Sequence, residues 1–351
     1  MTKSDTKIRD FIRDYYGEQL QSGEDLKTNA CCASGAPPRH VRAALSNVHE
    51  EVQSRFYGCG FPIPVALDGA TVIDLGCGTG RDVFCLSQLV GPTGFVHGVD
   101  MTDEQLKVGR KTLDWHTDRF GFDEPNVAFH QGFIEELSEL PLKPGAADLV
   151  VSNCVFNLSP RKDLVLRGVW DLLKTGGSLY FSDVFCDRRL PEDIASDPVL
   201  HAECLGGALY ENDFIDLAKR VGFGDPRKVT EAPISIRNDE LETMVGAAHF
   251  TTITWRLFKL DDLEPRCEDY GQIATYKGGV SGAERVLWLD DHHAFEVGRP
   301  ERVCGNTASM LQHTRFAPYF DVVGDREVHF GSFPCDPTLA VRTGASSDGC
   351  C

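Results

Sequence analysis

The chain has 351 residues, 42% of them hydrophobic and 25% charged, and a formal net charge of -18. That length accommodates two or three soluble domains, and the acidic balance disfavours nucleic acid and anionic membrane surfaces as partners. The polar start MTKSDTKIRD lacks a signal-peptide core, and no run reaches the ~18 apolar residues of a membrane span, so a cytoplasmic protein is expected.

The first segment reads as helical: DTKIRDFIRDYYGEQL, then HVRAALSNVHEEVQSRFYG, whose Val41, Leu45, Val48, Val52 and Phe56 recur at spacings of three and four and make one apolar stripe. Between them KTNACCASGAPP is a loop by its Ser, Gly and Pro content, and it carries Cys31 and Cys32. From Ala70 the texture alternates. TVIDLGCG, GFVHGVDM, NVAFHQG, ADLVVSNCV and GSLYFSDVF read as strands. RDVFCLSQLV, DEQLKVGRKTLDWHTDRFG and RKDLVLRGVWDLLK read as helices, the last closed by Gly176 and Gly177. Alternating strands and helices predict an α/β fold with a mainly parallel sheet, whose ligands sit at the carboxyl ends of the strands.

After Asp187 come PEDIASDPVLHAECLGGALY and ENDFIDLAKRVGF as helices, with KVTEAPISI returning as a strand. FTTITWRLFKL, YGQIATYKGG, ERVLWLDD and EVHFGSF read as strands of a smaller α+β domain. The expected organisation is a helical segment over 1–68, a ligand-binding α/β domain over 69–237, and a C-terminal α+β domain over 238–351 ending in a flexible tail with Cys350 and Cys351.

Thirteen cysteines are many for such a chain, yet no Cys-x-x-Cys pair exists, which removes the main support for zinc-ribbon or thioredoxin readings. Any one of them taken alone suits a small buried apolar position. His201 and Cys204, three apart, also allow a zinc site on one helix face.

VIDLGCGTGRD places Gly76, Gly78 and Gly80 between a strand and a helix, where glycine lets the backbone turn tightly and approach a ligand. The spacing is Gly-x-Gly-x-Gly, and the strand carries Asp74, so a pyrophosphate is repelled and a ligand with a positive end is favoured. Asp100 ends the second strand, where a carboxylate accepts from ribose hydroxyls. The pattern resembles a Rossmann-like class I S-adenosylmethionine-dependent methyltransferase. The resemblance implies a cofactor site made of Tyr57, Asp74, Gly76, Cys77, Gly78, Gly80, Asp100, Met101, Phe133, Ile134 and Asn153, with Cys77 packing inside the loop. In that fold the fourth strand ends beside the reactive methyl, which puts Cys154 of VVSNCV at the acceptor.

Together FYGCGFPIP, SNC and HAECLGGALY resemble the arsenite methyltransferases. TNAC, VHEEV, GVDMT, LYFSDV, FTTITWRLFKL and ATYKGG extend the likeness from about Thr28 to Gly279. It implies that Cys154 and Cys204 bind trivalent arsenic with Cys59 beside them, and that Cys59 and Cys31 or Cys32 take part in thiol–disulfide exchange. Thioredoxin or glutathione is the expected reductant, and arsenite and methylated arsenicals are the expected substrates. A carbon or oxygen methyltransferase, insensitive to loss of Cys154, and a non-catalytic metalloid-binding thiol protein are the competing readings.

Overall fold

β1 (Thr71–Leu75) is a run of apolar and β-branched residues that ends where Gly76 turns at φ +71°. Its side chains alternate between two cores: Ile73 and Leu75 pack with Val150, Leu166 and Phe181 on one face, Val72 with Val96, Leu149 and Val151 on the other. The computed structural model describes residues 3–19, 28 and 36–334.

β2 (Phe95–Asp100), β3 (Val127–Gln131), β4 (Ala147–Asn153) and β5 (Leu173–Cys186) join β1 in parallel, in the order β3-β2-β1-β4-β5. The chain leaves β1 toward one edge and returns to β4 on the other side. The carboxyl ends of β1 and β4 therefore flank a crevice from which the connections diverge. The sheet continues antiparallel with β8 (Phe250–Phe258) and β7 (Arg227–Ile234), and the two-residue β6 (Leu209–Tyr210) pairs with the end of β5.

Several expectations are corrected. FTTITWRLF is not a strand of the C-terminal domain: as β8 it pairs with β5 from Ser178↔Phe258 to Cys186↔Phe250, inside the main sheet. The helix over 40–58 is two short pieces, α2 (Arg39–Leu45) and α3 (Glu50–Gln53). They part because His49 caps α3 through its ring nitrogen while its own N–H donates to His116 Nε2 at 3.0 Å. The helix after β2 likewise divides into α5 (Asp103–Lys111) and α6 (Leu113–Phe120) at Thr112. Gly176 and Gly177 lie within β5 rather than capping α7 (Lys162–Leu172). Residues 327–333 form no strand, only a single bridge from Ser332 to Glu268.

Two small antiparallel sheets, one of β12 (Pro300–Arg302), β9 (Ile273–Tyr276) and β13 (Phe320–Val323) and one of β10 (Val286–Trp288) and β11 (Ala294–Glu296), pack around Tyr276, Phe295, Phe316 and Phe320, and this core also takes in Phe258 of β8. Buried Arg227 of β7 reaches Asp225 at 2.7 Å and Asp290 at 3.0 Å, fastening the C-terminal part to the sheet. Among the described residues no helix is long and apolar enough to cross a membrane.

Candidate functional site

At the crevice lies an open cleft with about 1030 Å³ of empty volume, counting its mouth. Its floor is the glycine loop. A Cβ on Gly76 would strike Val155 at 2.3 Å, while one on Gly78 would meet nothing within 4 Å. So the first glycine is required by packing and the second presents bare backbone to the cleft. Asp100 holds the loop's far side: its Oδ2 accepts from Gly78 N and its Oδ1 from Thr102 N, both at 2.8 Å. Met101 N and the Thr102 hydroxyl also bond this carboxylate, which still lines the cleft where a ligand hydroxyl can meet it.

Four acids, Asp74, Asp82, Asp100 and Glu135, line this space, with Arg81 paired to Asp82 at 2.7 Å. Burial pushes the Asp74 carboxyl well up, and the charges of Asp82 and Asp100 push it further. Asp100 is raised as well, chiefly by burial. A cleft that stores this repulsion suits a ligand carrying positive charge. The donor set and the open loop thus fit S-adenosylmethionine, whose sulfonium and ammonium are cationic and whose ribose offers two hydroxyls.

Phe133 and Ile134 line one wall, as the sequence led us to expect. The cover over this wall was not foreseen. It is α1 (Lys3–Asp14) with the π-helical turn after it, which contribute Arg9, Ile12 and Tyr16. The Arg9 guanidinium stacks 3.7 Å over the Phe133 ring and bonds Glu136 at 2.9 Å. Tyr16 meets Tyr57 edge-on at 5.7 Å and donates its hydroxyl to the Ala202 carbonyl.

The thiols gather at the end of β4. Cys59 and Cys154 are joined by a disulfide with Cα atoms 5.8 Å apart, across 95 residues of sequence. Asn153 clamps the Cys59 loop from below, donating to Gly60 O and Asp82 and accepting from Gly60 N. Cys154 and Cys204 both adopt left-handed backbone, at φ +56° and +63°. For a side-chain-bearing residue that conformation is costly and persists only where the surroundings impose it. The Cys204 thiol donates to the Cys154 carbonyl at 3.4 Å.

A carboxylate joins the sulfurs. Ligand atoms of Cys154, Cys204 and Asp183 lie within 4.8 Å of one another, all three residues buried. Asp183, on β5, accepts from Val184 N at 2.7 Å and Asn157 N at 3.0 Å. Burial lifts its carboxyl to about 7, while those N–H groups and Lys162 pull the other way. Burial in turn draws Lys162 down to about 8, opposed by Asp183, Cys204 and Glu135.

The structure thus brings Cys59, Cys154 and Cys204 to one place beside the cleft. Cys31 and Cys32 lie outside the described residues, as do Cys350 and Cys351. The zinc reading of His201 with Cys204 fails. α9 (Pro198–Ala202) ends before Cys204, and the His201 ring nitrogens sit 3.1 Å from Leu158 O and 3.4 Å from Ala195 O. Sequence reasoning missed Arg9, Tyr16, Asp82 and Asp183. The last two stand inside the quoted GTGRD and LYFSDV, so the signal was present; α1 was legible as a helix, but nothing local tells that it covers the cleft.

Known proteins resemble the chain over nearly its whole length. Residues 66–233 match a family described as a methyltransferase domain, and residues 270–337 one described as the arsenite methyltransferase C-terminal domain. An arsenite methyltransferase of Aquipseudomonas alcaligenes is 53% identical, covering 98% of this chain and 100% of its own. The arsenite methyltransferase of Homo sapiens is 46% identical over 90% of this chain and 84% of its own. The crystal structure of an arsenic(III) S-adenosylmethionine methyltransferase from Chlamydomonas reinhardtii superposes with a TM-score of 0.82 at 49% identity, covering 85% of this chain and 100% of that one.

Proposed function

This chain belongs to the arsenite methyltransferases, and from that premise we propose that it methylates trivalent arsenic held by the thiolates of Cys154 and Cys204, with Cys59 beside them. The observation that carries the reading is the meeting of these three sulfur-bearing residues at the end of β4, with Cys154 itself lining the acid-rich cleft.

Trivalent arsenic is soft and prefers thiolate to oxygen or imidazole. Held by sulfur alone it keeps a lone pair and has no proton to lose, so no general base is required. S-adenosylmethionine supplies an electrophilic methyl group on a sulfonium. The protein's part is placement. Asp100 faces the ribose hydroxyls, Asp74 attracts the cationic end, and Phe133 and Ile134 flank the base. Tyr57, Met101 and Asn153 complete the site, and the left-handed backbone at Cys154 and Cys204 holds both thiols in fixed directions. Holding two reactants in register is worth several powers of ten in rate.

Methylation takes arsenic from the trivalent to the pentavalent state. Two thiols return it by giving up two electrons and forming a disulfide, and the Cys59–Cys154 bond supports that pair as the donors. A thiol reductant, thioredoxin or glutathione, then regenerates both thiols, with Cys31 or Cys32 as relay.

Cys59→Ser separates the steps. With arsenite, a reductant and methyl-labelled cofactor, this variant should give one burst of methylated arsenic equal to the enzyme present and then stop. Undiminished repeated turnover would overturn the redox role of Cys59.

A further inference from the structure

Thiolates alone suffice to bind trivalent arsenic, and its methylation needs no base, yet a buried carboxylate stands among the sulfurs. Asp183 is 0% exposed, and its oxygen lies within 4.8 Å of the sulfurs of both Cys154 and Cys204. Burying an acid is expensive. Backbone N–H groups of Val184, Asn157 and Phe156 hold the carboxyl in place. An amide or hydroxyl would also accept from a backbone N–H, so that duty does not call for a charge.

The charge has a use in the transfer step. The arsenic lone pair forms the new arsenic–carbon bond while the carbon–sulfur bond breaks and leaves its pair on sulfur. The sulfonium becomes a neutral thioether, and its positive charge passes to arsenic. Reactant arsenic is neutral toward its surroundings, whereas methylated arsenic is a cation until two thiols reduce it. A carboxylate beside the thiol pair, when ionised, acts on the second state and not the first, and an interaction that grows toward the transition state accelerates the reaction.

We propose that Asp183 stabilises the positive charge that methyl transfer places on arsenic, a role that rests on the reading of Cys154 and Cys204 as the arsenic-binding thiols. The bonds from Val184 N and Asn157 N keep its carboxyl aimed beside the two thiols.

The test uses the full-length reduced protein and the variants Asp183→Asn, Asp183→Ser and Asp183→Glu, each checked by thermal melting. Single-turnover methyl transfer to arsenite should slow by about tenfold or more in the two neutral variants and recover in Asp183→Glu. Arsenite and cofactor affinities should be unchanged. Cadmium ion, which brings positive charge to the same thiols without turnover, should bind about tenfold more weakly to the neutral variants, read from its thiolate absorbance. Asp183→Ser serves if Asp183→Asn does not fold. Unchanged transfer rates in a folded neutral variant would overturn the proposal, as would a loss of arsenite affinity matching the loss of rate. Failure of the thiolate reading looks different: arsenite would then bind equally well to Cys154→Ser and Cys204→Ser proteins.

Discussion

Asp74 shows how one residue trades stability for binding. It lies buried in the cleft, and burial and the nearby Asp82 and Asp100 all raise its carboxyl. A raised folded value means that this residue's favourable contribution is complete below the unfolded value of ~3.9 and is lost as pH rises through the folded one. At a pH above that folded value the ionised Asp74 therefore weakens the empty protein while attracting a cationic ligand. Asp74→Asn is expected to raise the melting temperature at that pH by about 2 °C and to lower affinity for S-adenosylmethionine about tenfold. Calorimetric titration alongside thermal melting checks both signs. A fall in both stability and affinity would contradict the account. Asp74 was legible in the sequence because it sits two residues before the glycine that ends the strand. Asp183 was not singled out, because nothing in LYFSDV tells that its side chain meets a cysteine twenty-one residues later.

At the scale of elements, the five parallel strands were legible because each is an apolar, β-branched run closed by a turn signal. The breaks in the helices were not, because they depend on a distant partner. α2 and α3 separate where His49 N reaches His116 on α6, sixty-seven residues away. His116 stacks on Phe84 at 3.5 Å, and its Nδ1 lies 2.7 Å from Thr112 O. One nitrogen must donate to that carbonyl and the other accept from His49, which requires the neutral ring. Burial accordingly lowers His116 to about 4 from 6.5. For a lowered value, stability is complete above the unfolded value and is lost as pH falls toward the folded one. Wild-type protein should lose on the order of 2 kcal/mol from this residue between those limits. His116→Gln, which keeps an acceptor without a proton to gain, should lose that much less in urea unfolding compared at neutral and mildly acidic pH. An identical pH dependence in both proteins would refute the neutral-ring argument. β8 carries the same lesson. The alternation in FTTITWRLF announced a strand, yet membership of the main sheet is set by its nine-residue pairing with β5.

Across the whole molecule, the site is assembled from parts far apart in sequence. α1 covers the cleft, the loop after α3 brings Cys59, β4 brings Cys154, and the turn after α9 brings Cys204. Glu203, next to Cys204, accepts from Tyr15 and twice from Thr28, so the N-terminal cover and the thiol region are tied together. Arg227 of β7 reaches Asp290 and buried Arg256 of β8 donates to the Leu289 carbonyl, which braces the C-terminal part against the main sheet. Their place was only partly legible, since a short strand does not reveal which core it closes.

The central claim is that the carbon acceptor is arsenic bound to these thiols. The direct measurement incubates reduced protein with arsenite and methyl-labelled S-adenosylmethionine, then separates the arsenic species. The account predicts label on arsenic in wild-type protein and none in Cys154→Ser or Cys204→Ser proteins that still bind the cofactor. Label on arsenic at the wild-type rate in either variant would contradict it.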